Sequence, residues 1–182
     1  MYYDVTIAGF GGQGVMIIGN MLAEAAMNEG KNVTYWPSYS AEMRGGTANC
    51  TVVISTKDIG SPIVGFPKSA IIMNLPSLKK YESKIKQDGL LIVNTSLIDQ
   101  GEIKRVDLDV VKAPLISLAR EAGNDRLSNM VALGIFLAKT QLVRLDSLFK
   151  TLWDLLDERY HHLIPVNKKA VQMGIDYVNK GS

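Results

Sequence analysis

Cysteine and histidine are scarce in this chain of 182 residues, which has one cysteine, Cys50, and two adjacent histidines, His161 and His162. A single cysteine cannot form an intrachain disulfide, and an iron–sulfur cluster or a structural zinc site ordinarily needs several cysteine or histidine ligands. Cys50 has no histidine near it in the sequence, so it fits a small buried residue better than an activated nucleophile. We therefore expect no metal site and no redox centre built by this chain alone.

The sequence also lacks an excess of charge of one sign and a long apolar run. Lysine and arginine number 20 and aspartate and glutamate 18, so the formal net charge is +2. Domains that bind nucleic acid usually carry a marked basic excess, and we expect no nucleic-acid partner. The apolar stretch 130–138 is interrupted by Gly134 and ends at Lys139, whereas a membrane span needs about 20 apolar residues. With no signal-peptide pattern at the N-terminus, we expect a cytoplasmic protein whose residues 1–182 form a single domain.

Strand and helix patterns alternate along the first two thirds of the chain. A β-branched run precedes a glycine cluster, and apolar residues then recur with helical spacing from Val15 to a glycine stop at Gly30. Strands are predicted at 4–9, 33–36, 48–55, 70–74 and 90–94, with weaker candidates at 103–106 and 110–112 and a helical segment around 78–85. Pro37 is expected to end the second strand. This alternation predicts an α/β, Rossmann-like fold with a mostly parallel sheet and helices on both faces.

The last third of the chain has only helical patterns. Helices are predicted at 115–122, 128–140, 145–158 and 165–179. They form a helical C-terminal portion of the same domain. Asn129, at the start of the second of these helices, fits a helix cap at least as well as a ligand.

A glycine-rich loop follows the first strand and opens the first helix. Its residues Gly9, Gly11, Gly12, Gln13 and Gly14 match the pattern G-x-G-x-x-G in the context that phosphate binding requires. An NAD-binding domain would place a carboxylate at the end of the second strand, but that strand ends Tyr-Trp-Pro-Ser, and no arginine follows at once to indicate NADP. The loop therefore indicates phosphate binding rather than dinucleotide binding. The alternative is that the glycines only let the strand and the helix pack closely.

A second polar cluster lies in the loop after the second strand. Arg44 is a natural donor to a phosphate or carboxylate, Glu42 can orient it, and the backbone of Gly45 and Gly46 can add amide donors. Loops at the carboxyl ends of neighbouring strands line one crevice, so this loop can face the glycine-rich loop. The alternative is a surface ion pair beside a flexible turn.

Together, several segments resemble one enzyme family, the 2-oxoacid:ferredoxin (acceptor) oxidoreductases. The segments are 9–14, 41–55, 60–64, 129–134 and 167–170. The resemblance covers essentially the whole chain and is to the gamma subunit, most of all that of the 2-oxoglutarate type. It implies that residues 1–182 are one domain like the catalytic gamma domain of the pyruvate and 2-oxoacid enzymes.

The resemblance implies a heteromeric enzyme that oxidatively decarboxylates a 2-oxoacid and transfers the acyl group to coenzyme A. Thiamine diphosphate and iron–sulfur clusters are then expected in the partner alpha, beta and ferredoxin-like delta subunits, which pass electrons to ferredoxin or another acceptor. This chain would share the coenzyme A site through its glycine-rich loop and Arg44, supported by Glu42, Gly45 and Gly46, and would be inactive alone.

Two other interpretations stay open. The chain can be the gamma subunit of a branched-chain 2-oxoacid, indolepyruvate or pyruvate oxidoreductase, or it can be a stand-alone nucleotide-binding module. The region 145–156 also carries more leucines than one buried stripe needs, so a homodimer of the isolated chain is expected.

Overall fold

A six-stranded sheet forms the centre of the computed structural model, which describes residues 1–39 and 47–181. The strands are β1 (Tyr2–Phe10), β2 (Asn32–Tyr39), β3 (Thr47–Ser55), β4 (Ser69–Ile72), β5 (Leu90–Asn94) and β6 (Asp109–Ala113). The α-helices are α1 (Val15–Asn28), α2 (Leu75–Tyr81), α3 (Leu115–Ala122), α4 (Ser128–Thr140), α5 (Leu145–Leu155) and α6 (Ile164–Asn179). The α/β fold with a helical C-terminal portion is therefore confirmed.

The strand order across the sheet is β2-β3-β1-β4-β5-β6. The pairs β1–β4, β4–β5 and β5–β6 are parallel, whereas β3 pairs antiparallel with both β1 and β2. Five strands thus run in one direction and β3 runs against them, which confirms a mostly parallel sheet. The direction of β3 follows from the length of its connection to β2, because the seven residues 40–46 are too few for the crossover that parallel neighbours need.

Three local predictions were wrong. β2 continues through Pro37 to Tyr39, because β2 is the edge strand and a missing N–H is tolerated there. No strand forms at 103–106, where the buried carboxylate of Glu82 accepts the main-chain N–H groups of Lys104 and Arg105 at 2.7 and 2.9 Å. The helix predicted over 145–158 ends at Leu155, and a separate 3-10 helix follows at Glu158–Leu163, where Asp157 accepts the N–H of Arg159.

Helices cover both faces of the sheet, but unequally. One face carries the larger apolar core, in which side chains such as Ile7, Val52 and Ile92 pack with those of α1, α3, α4 and α6. On the other face, α2 covers Ala70, Ile72 and their neighbours. The larger core orders the C-terminal helices against the same face as α1.

The C-terminal end of α1 is fixed by a buried carboxylate. Glu29 Oε1 accepts the main-chain N–H of Arg144 at 2.7 Å, and Oε2 lies 2.8 Å from Lys31 Nζ. Burial alone would raise the pKa of Glu29, but hydrogen bonds from Lys31, the Arg144 amide and Ser147 lower it to about 2. This contact ties α1 to the connection between α4 and α5, at the end of α1 that lies away from the glycine-rich loop.

Two glycines let α4 and α6 cross in close contact. A Cβ added to Gly134 on α4 would lie 2.9 Å from the carbonyl carbon of Val171, and one added to Gly174 on α6 would lie 2.8 Å from the main-chain nitrogen of Ile135. These obstacles are backbone atoms, which cannot rotate away as a side chain can. At this crossing α4 therefore lies closer to α6 than a residue larger than glycine would permit.

We expect Gly134→Ala and Gly174→Ala each to lower the free energy of unfolding by about 1 to 3 kcal/mol, measured by urea denaturation. Alanine favours an isolated helix by about 1 kcal/mol over glycine, so a loss of stability can only come from the crossing. The control is Gly65→Ala, where an added Cβ meets nothing within 4 Å, and its effect should stay within about 0.5 kcal/mol. A stabilised Gly134→Ala protein would show that the two helices can separate at little cost.

Candidate functional site

The glycine-rich loop connects β1 to α1 at the carboxyl edge of the parallel strands. Gly12 and Gly14 have φ angles of 89° and 70°, the left-handed conformation that favours glycine. A Cβ added to Gly11 or Gly12 would meet no atom within 4 Å, so this part of the loop faces open space. The predicted strand–loop–helix context of the motif is confirmed.

Gln13 holds the loop against the ends of two strands. Its Oε1 accepts the main-chain N–H of Phe10 at 2.6 Å, and its Nε2 donates to the carbonyl of Met73 at 3.4 Å. Its own main-chain N–H donates to the carbonyl of Phe10 at 3.2 Å. The side chain of Gln13 therefore turns inward and shapes the loop. Gly9 serves this arrangement too, because a Cβ there would lie 2.6 Å from Gln13 Oε1.

Asn129 holds the other end of the loop. This residue lies in the first turn of α4, is 5% exposed, and donates from Nδ2 to the carbonyl oxygen of Gly14 at 3.3 Å. A Cβ on Gly14 would lie 2.9 Å from Asn129 Cγ. Asn129 is thus neither the cap of α4 nor a residue that points into open space. Sequence reasoning missed this contact because 115 positions separate the two residues.

The amino ends of three helices lie near this edge of the sheet. The loop leads into α1, α3 follows the end of β6, and α4 is reached through Asn129. The first turn of an α-helix has main-chain N–H groups without intrahelical acceptors, and the helix dipole adds positive potential there.

Two clefts flank the glycine-rich loop. One, of about 250 Å³, is mainly apolar and is lined by residues such as Phe10, Gly11 and Ile17; the other, of about 380 Å³, reaches the connection between α3 and α4.

The second predicted cluster, Glu42, Arg44, Gly45 and Gly46, lies outside the described residues. The residues on either side of it are described at the backbone level. Tyr39 pairs with Ala48, and Thr47 pairs with Phe10, the residue that begins the glycine-rich loop. The chain therefore leaves β2 and enters β3 at the same edge of the sheet as that loop.

No redox or metal chemistry is apparent in the part of the chain that the structure describes. Cys50 is fully buried, its Sγ donates to the carbonyl of Val15 at 3.5 Å, and burial raises its pKa to about 12. A thiol in this state is a poor nucleophile and a poor ligand. Residues 1–39 and 47–181 contain no group of three or more histidine, cysteine, aspartate or glutamate side chains that could hold a metal ion. Over the same ranges, no helix is both long and apolar enough to cross a membrane.

We expect Gly14→Val to lower the free energy of unfolding by about 2 to 5 kcal/mol, because the new side chain would clash with Asn129 and would strain a left-handed residue. Thermal or urea denaturation measures the loss. Gly11→Ala is the control, since that position is open and its φ is not positive.

A double-mutant cycle separates the clash from the backbone strain. In an Asn129→Ala background, Gly14→Val should cost less than in the wild-type chain, because the clashing amide is gone. An equal cost in both backgrounds would mean that strain at Gly14 accounts for the whole effect.

Comparison with known proteins connects this architecture to one family. The family described as pyruvate ferredoxin/flavodoxin oxidoreductase matches residues 4–177. Ketoisovalerate oxidoreductase subunit VorA of Methanothermobacter marburgensis is 34% identical over 97% of this chain, which covers 36% of that protein. The chain therefore spans about a third of the length of this relative.

Two further proteins match over most of both chains. The 2-oxoglutarate synthase subunit KorC of Methanocaldococcus jannaschii is 31% identical, with 85% of this chain and 83% of that protein covered. The crystal structure of a keto/oxoacid ferredoxin oxidoreductase gamma subunit from Geobacter sulfurreducens PCA matches with a TM-score of 0.84 and 27% identity, covering 98% and 99% of the two chains. This chain thus shares its fold with the Geobacter sulfurreducens gamma subunit, and its match spans most of the length of both subunits.

Proposed function

This chain belongs to the pyruvate ferredoxin/flavodoxin oxidoreductase family, and from that premise we propose that it is the gamma subunit of a multi-subunit 2-oxoacid:ferredoxin oxidoreductase. The observation that supports the subunit assignment is the end-to-end match to a separate gamma subunit, with nearly all of both chains covered. The complex oxidatively decarboxylates a 2-oxoacid and forms an acyl-coenzyme A. This end-to-end match favours the subunit over a stand-alone nucleotide-binding module, the other class of function.

We propose 2-oxoglutarate as the substrate of the complex, on the resemblance to the 2-oxoglutarate type and the similarity to KorC. A branched-chain 2-oxoacid is the second candidate, because the ketoisovalerate relative is 34% identical over nearly the whole chain. In the described part of this chain, no pocket combines a positively charged side chain that could hold a 2-oxoacid with a neighbouring redox group. The choice between the two substrates therefore belongs to partner subunits.

The chain's own contribution, in this proposal, is to bind coenzyme A. The glycine-rich loop fits a phosphate because Gly11 and Gly12 are open, Gly14 lies at the start of a 14-residue helix, and Gln13 and Asn129 hold the loop in place. Arg44 and its neighbours Glu42, Gly45 and Gly46 would complete the site from the connection between β2 and β3. Coenzyme A supplies the thiol that accepts the acyl group, and this chain orients its phosphates.

An iron–sulfur cluster does not fit the residues of this chain, and its sequence has no Gly-Asp-Gly signature of thiamine diphosphate binding. Its one cysteine is buried with a raised pKa, and a cluster needs several thiolates. We propose that alpha, beta and ferredoxin-like delta subunits hold these groups and deliver electrons to ferredoxin or another acceptor.

The groove between α1 and α5, which is lined by Ile17, Leu152 and Leu155 among others, is the surface on which self-association of the isolated chain is proposed.

Reconstitution tests the proposed function. The purified chain with thiamine diphosphate, coenzyme A and a 2-oxoacid should not reduce a viologen dye, because it has no ligands for the clusters. The complex purified with its partner chains should reduce the dye, and a panel of 2-oxoacids identifies the substrate by its kcat/KM. Reduction by the chain alone, or a complex inactive toward every 2-oxoacid, would contradict the proposal.

Arg44→Ala tests the coenzyme A site. Loss of a charge-assisted contact worth about 1.5 to 3 kcal/mol should raise the KM for coenzyme A about ten- to a hundredfold in the assembled complex. The KM for the 2-oxoacid should change little. Arg144→Ala is the matched control, because Arg144 contacts Glu29 at the far end of α1. An unchanged coenzyme A KM in an intact complex would remove Arg44 from the site.

A further inference from the structure

The larger of the two clefts beside the glycine-rich loop contains an arginine that the sequence analysis did not single out. This cleft, called here the Arg126 cleft, has a volume of about 380 Å³. Its lining residues are Gly12, Gln13, Ile116, Asp125, Arg126 and Ser128. The glycine-rich loop thus forms one wall, and the connection between α3 and α4 forms the other.

A serine hydroxyl in the Arg126 cleft has no hydrogen-bond partner within residues 1–39 and 47–181. Ser128 is 9% exposed and lines the cleft. Its Oγ does not belong to the enclosed unpaired oxygens, which are Thr34 Oγ1, Ser77 Oγ and Asn129 Oδ1, so it is reachable from the cleft. A hydroxyl that lines a cleft in this state is suited to a hydrogen bond with a ligand.

The guanidinium of Arg126 is also available. The main-chain N–H of Arg126 donates to Asn124 Oδ1 at 3.1 Å, which fixes the residue on a short 3-10 helix, Asp125–Leu127. Among the described residues, its side chain has no ion-pair partner, whereas the neighbouring carboxylate of Asp125 lies 4.0 Å from Arg120. The lining thus includes one positive and one negative side chain, and the negative one lies within 4.0 Å of Arg120 rather than of Arg126.

Helix ends add positive potential beside the cleft. Ser128 is the first residue of α4, and the loop that forms the opposite wall leads into α1. Both helices are long enough for a dipole effect, although α4 continues directly from the 3-10 helix Asp125–Leu127, in which the Leu127 N–H already donates to the carbonyl of Asn124 at 3.1 Å. One amide of α3 is also used, since Ile116 donates to Ser96 Oγ at 3.2 Å. Gly12, in the loop that opens α1, lines the cleft.

We propose that the Arg126 cleft binds a phosphate group, held by the guanidinium of Arg126 and the hydroxyl of Ser128 against the wall formed by Gly12. A phosphate offers several acceptor oxygens, which suits a site made of donors. The identity of the ligand rests on the proposed function: in coenzyme A the group is either the diphosphate or the 3′-phosphate. The phosphate site itself depends only on the described residues.

Binding of inorganic pyrophosphate to the full chain tests the site directly. In an NMR titration, the amides of Gly12, Arg126 and Ser128 should shift together. Arg126→Ala should raise the dissociation constant about ten- to a hundredfold and Ser128→Ala about threefold to tenfold, with Arg126→Lys in between. Arg144→Ala, which removes the same charge at the other end of α1, should change it less than about twofold.

Asp125→Asn should change the dissociation constant for pyrophosphate in the opposite direction. Removing this carboxylate, and freeing Arg120 with it, should tighten pyrophosphate binding severalfold. A merely structural role for the 3-10 helix would instead weaken binding in every variant. Unchanged binding in Arg126→Ala, or no pyrophosphate binding by the wild-type chain, would overturn the proposal.

Kinetics of the assembled complex distinguish this proposal from the proposed function. If Arg126→Ala weakens pyrophosphate binding to the chain and raises the KM for coenzyme A, the cleft is part of the coenzyme A site. If Arg126→Ala raises the KM less for 3′-dephospho-coenzyme A than for coenzyme A, the group bound in the cleft is the 3′-phosphate. If it raises both KM values equally, the bound group is the diphosphate. If Arg126→Ala weakens pyrophosphate binding but leaves coenzyme A kinetics unchanged, the phosphate site stands and its use for coenzyme A fails. If Arg44→Ala raises the coenzyme A KM but Arg126→Ala alters neither measurement, the Arg126 proposal is wrong and the proposed function stands.

Discussion

The close crossing of α4 and α6 is the constraint on which the geometry of the loop depends. At Gly134 and Gly174 each helix meets the backbone of the other, and no side chain larger than hydrogen fits without a shift of one helix. This contact sets the position of α4, and the first turn of α4 carries Asn129, which donates to the carbonyl of Gly14. Packing between two C-terminal helices thus determines the backbone conformation of a loop near the N-terminus.

The glycine-rich loop is held at both ends without any ligand. Gln13 holds its first half to the ends of β1 and β4, and Asn129 holds its second half to α4. A ligand that meets fixed N–H groups does not have to order the loop, so less of the binding free energy is lost as conformational entropy. The glycines differ in their surroundings: Gly9 and Gly14 allow close packing, while Gly11 and Gly12 leave the surface open.

The sequence predicted those features that depend on local patterns, and it failed where distant residues decide. The bounds of α3, α4 and β5 follow from hydrophobic periodicity and were predicted to the residue. The continuation of β2 through Pro37 depends on its place at the edge of the sheet, which no local pattern reveals. In the same way, the contact of Asn129 with Gly14 and the position of Arg126 in one cleft with Gly12 depend on a loop more than 100 positions earlier. A single sequence contains no signal for such contacts, because covarying positions can be seen only when related sequences are aligned.

The inventory of side chains at this edge of the sheet limits what the chain can contribute to catalysis. Its described polar groups include main-chain N–H groups, amides, a hydroxyl, the guanidinium of Arg126 and the carboxylate of Asp125, and the buried thiol of Cys50 lies behind α1 with its pKa raised. Apart from the carboxylate, these groups donate hydrogen bonds or positive charge, and none of them is a redox centre. In the proposed function, the chemistry that breaks a carbon–carbon bond and moves electrons takes place on other subunits. This chain would then act on the reaction through the position of the acyl acceptor, which decides whether the acyl group is transferred or lost to water.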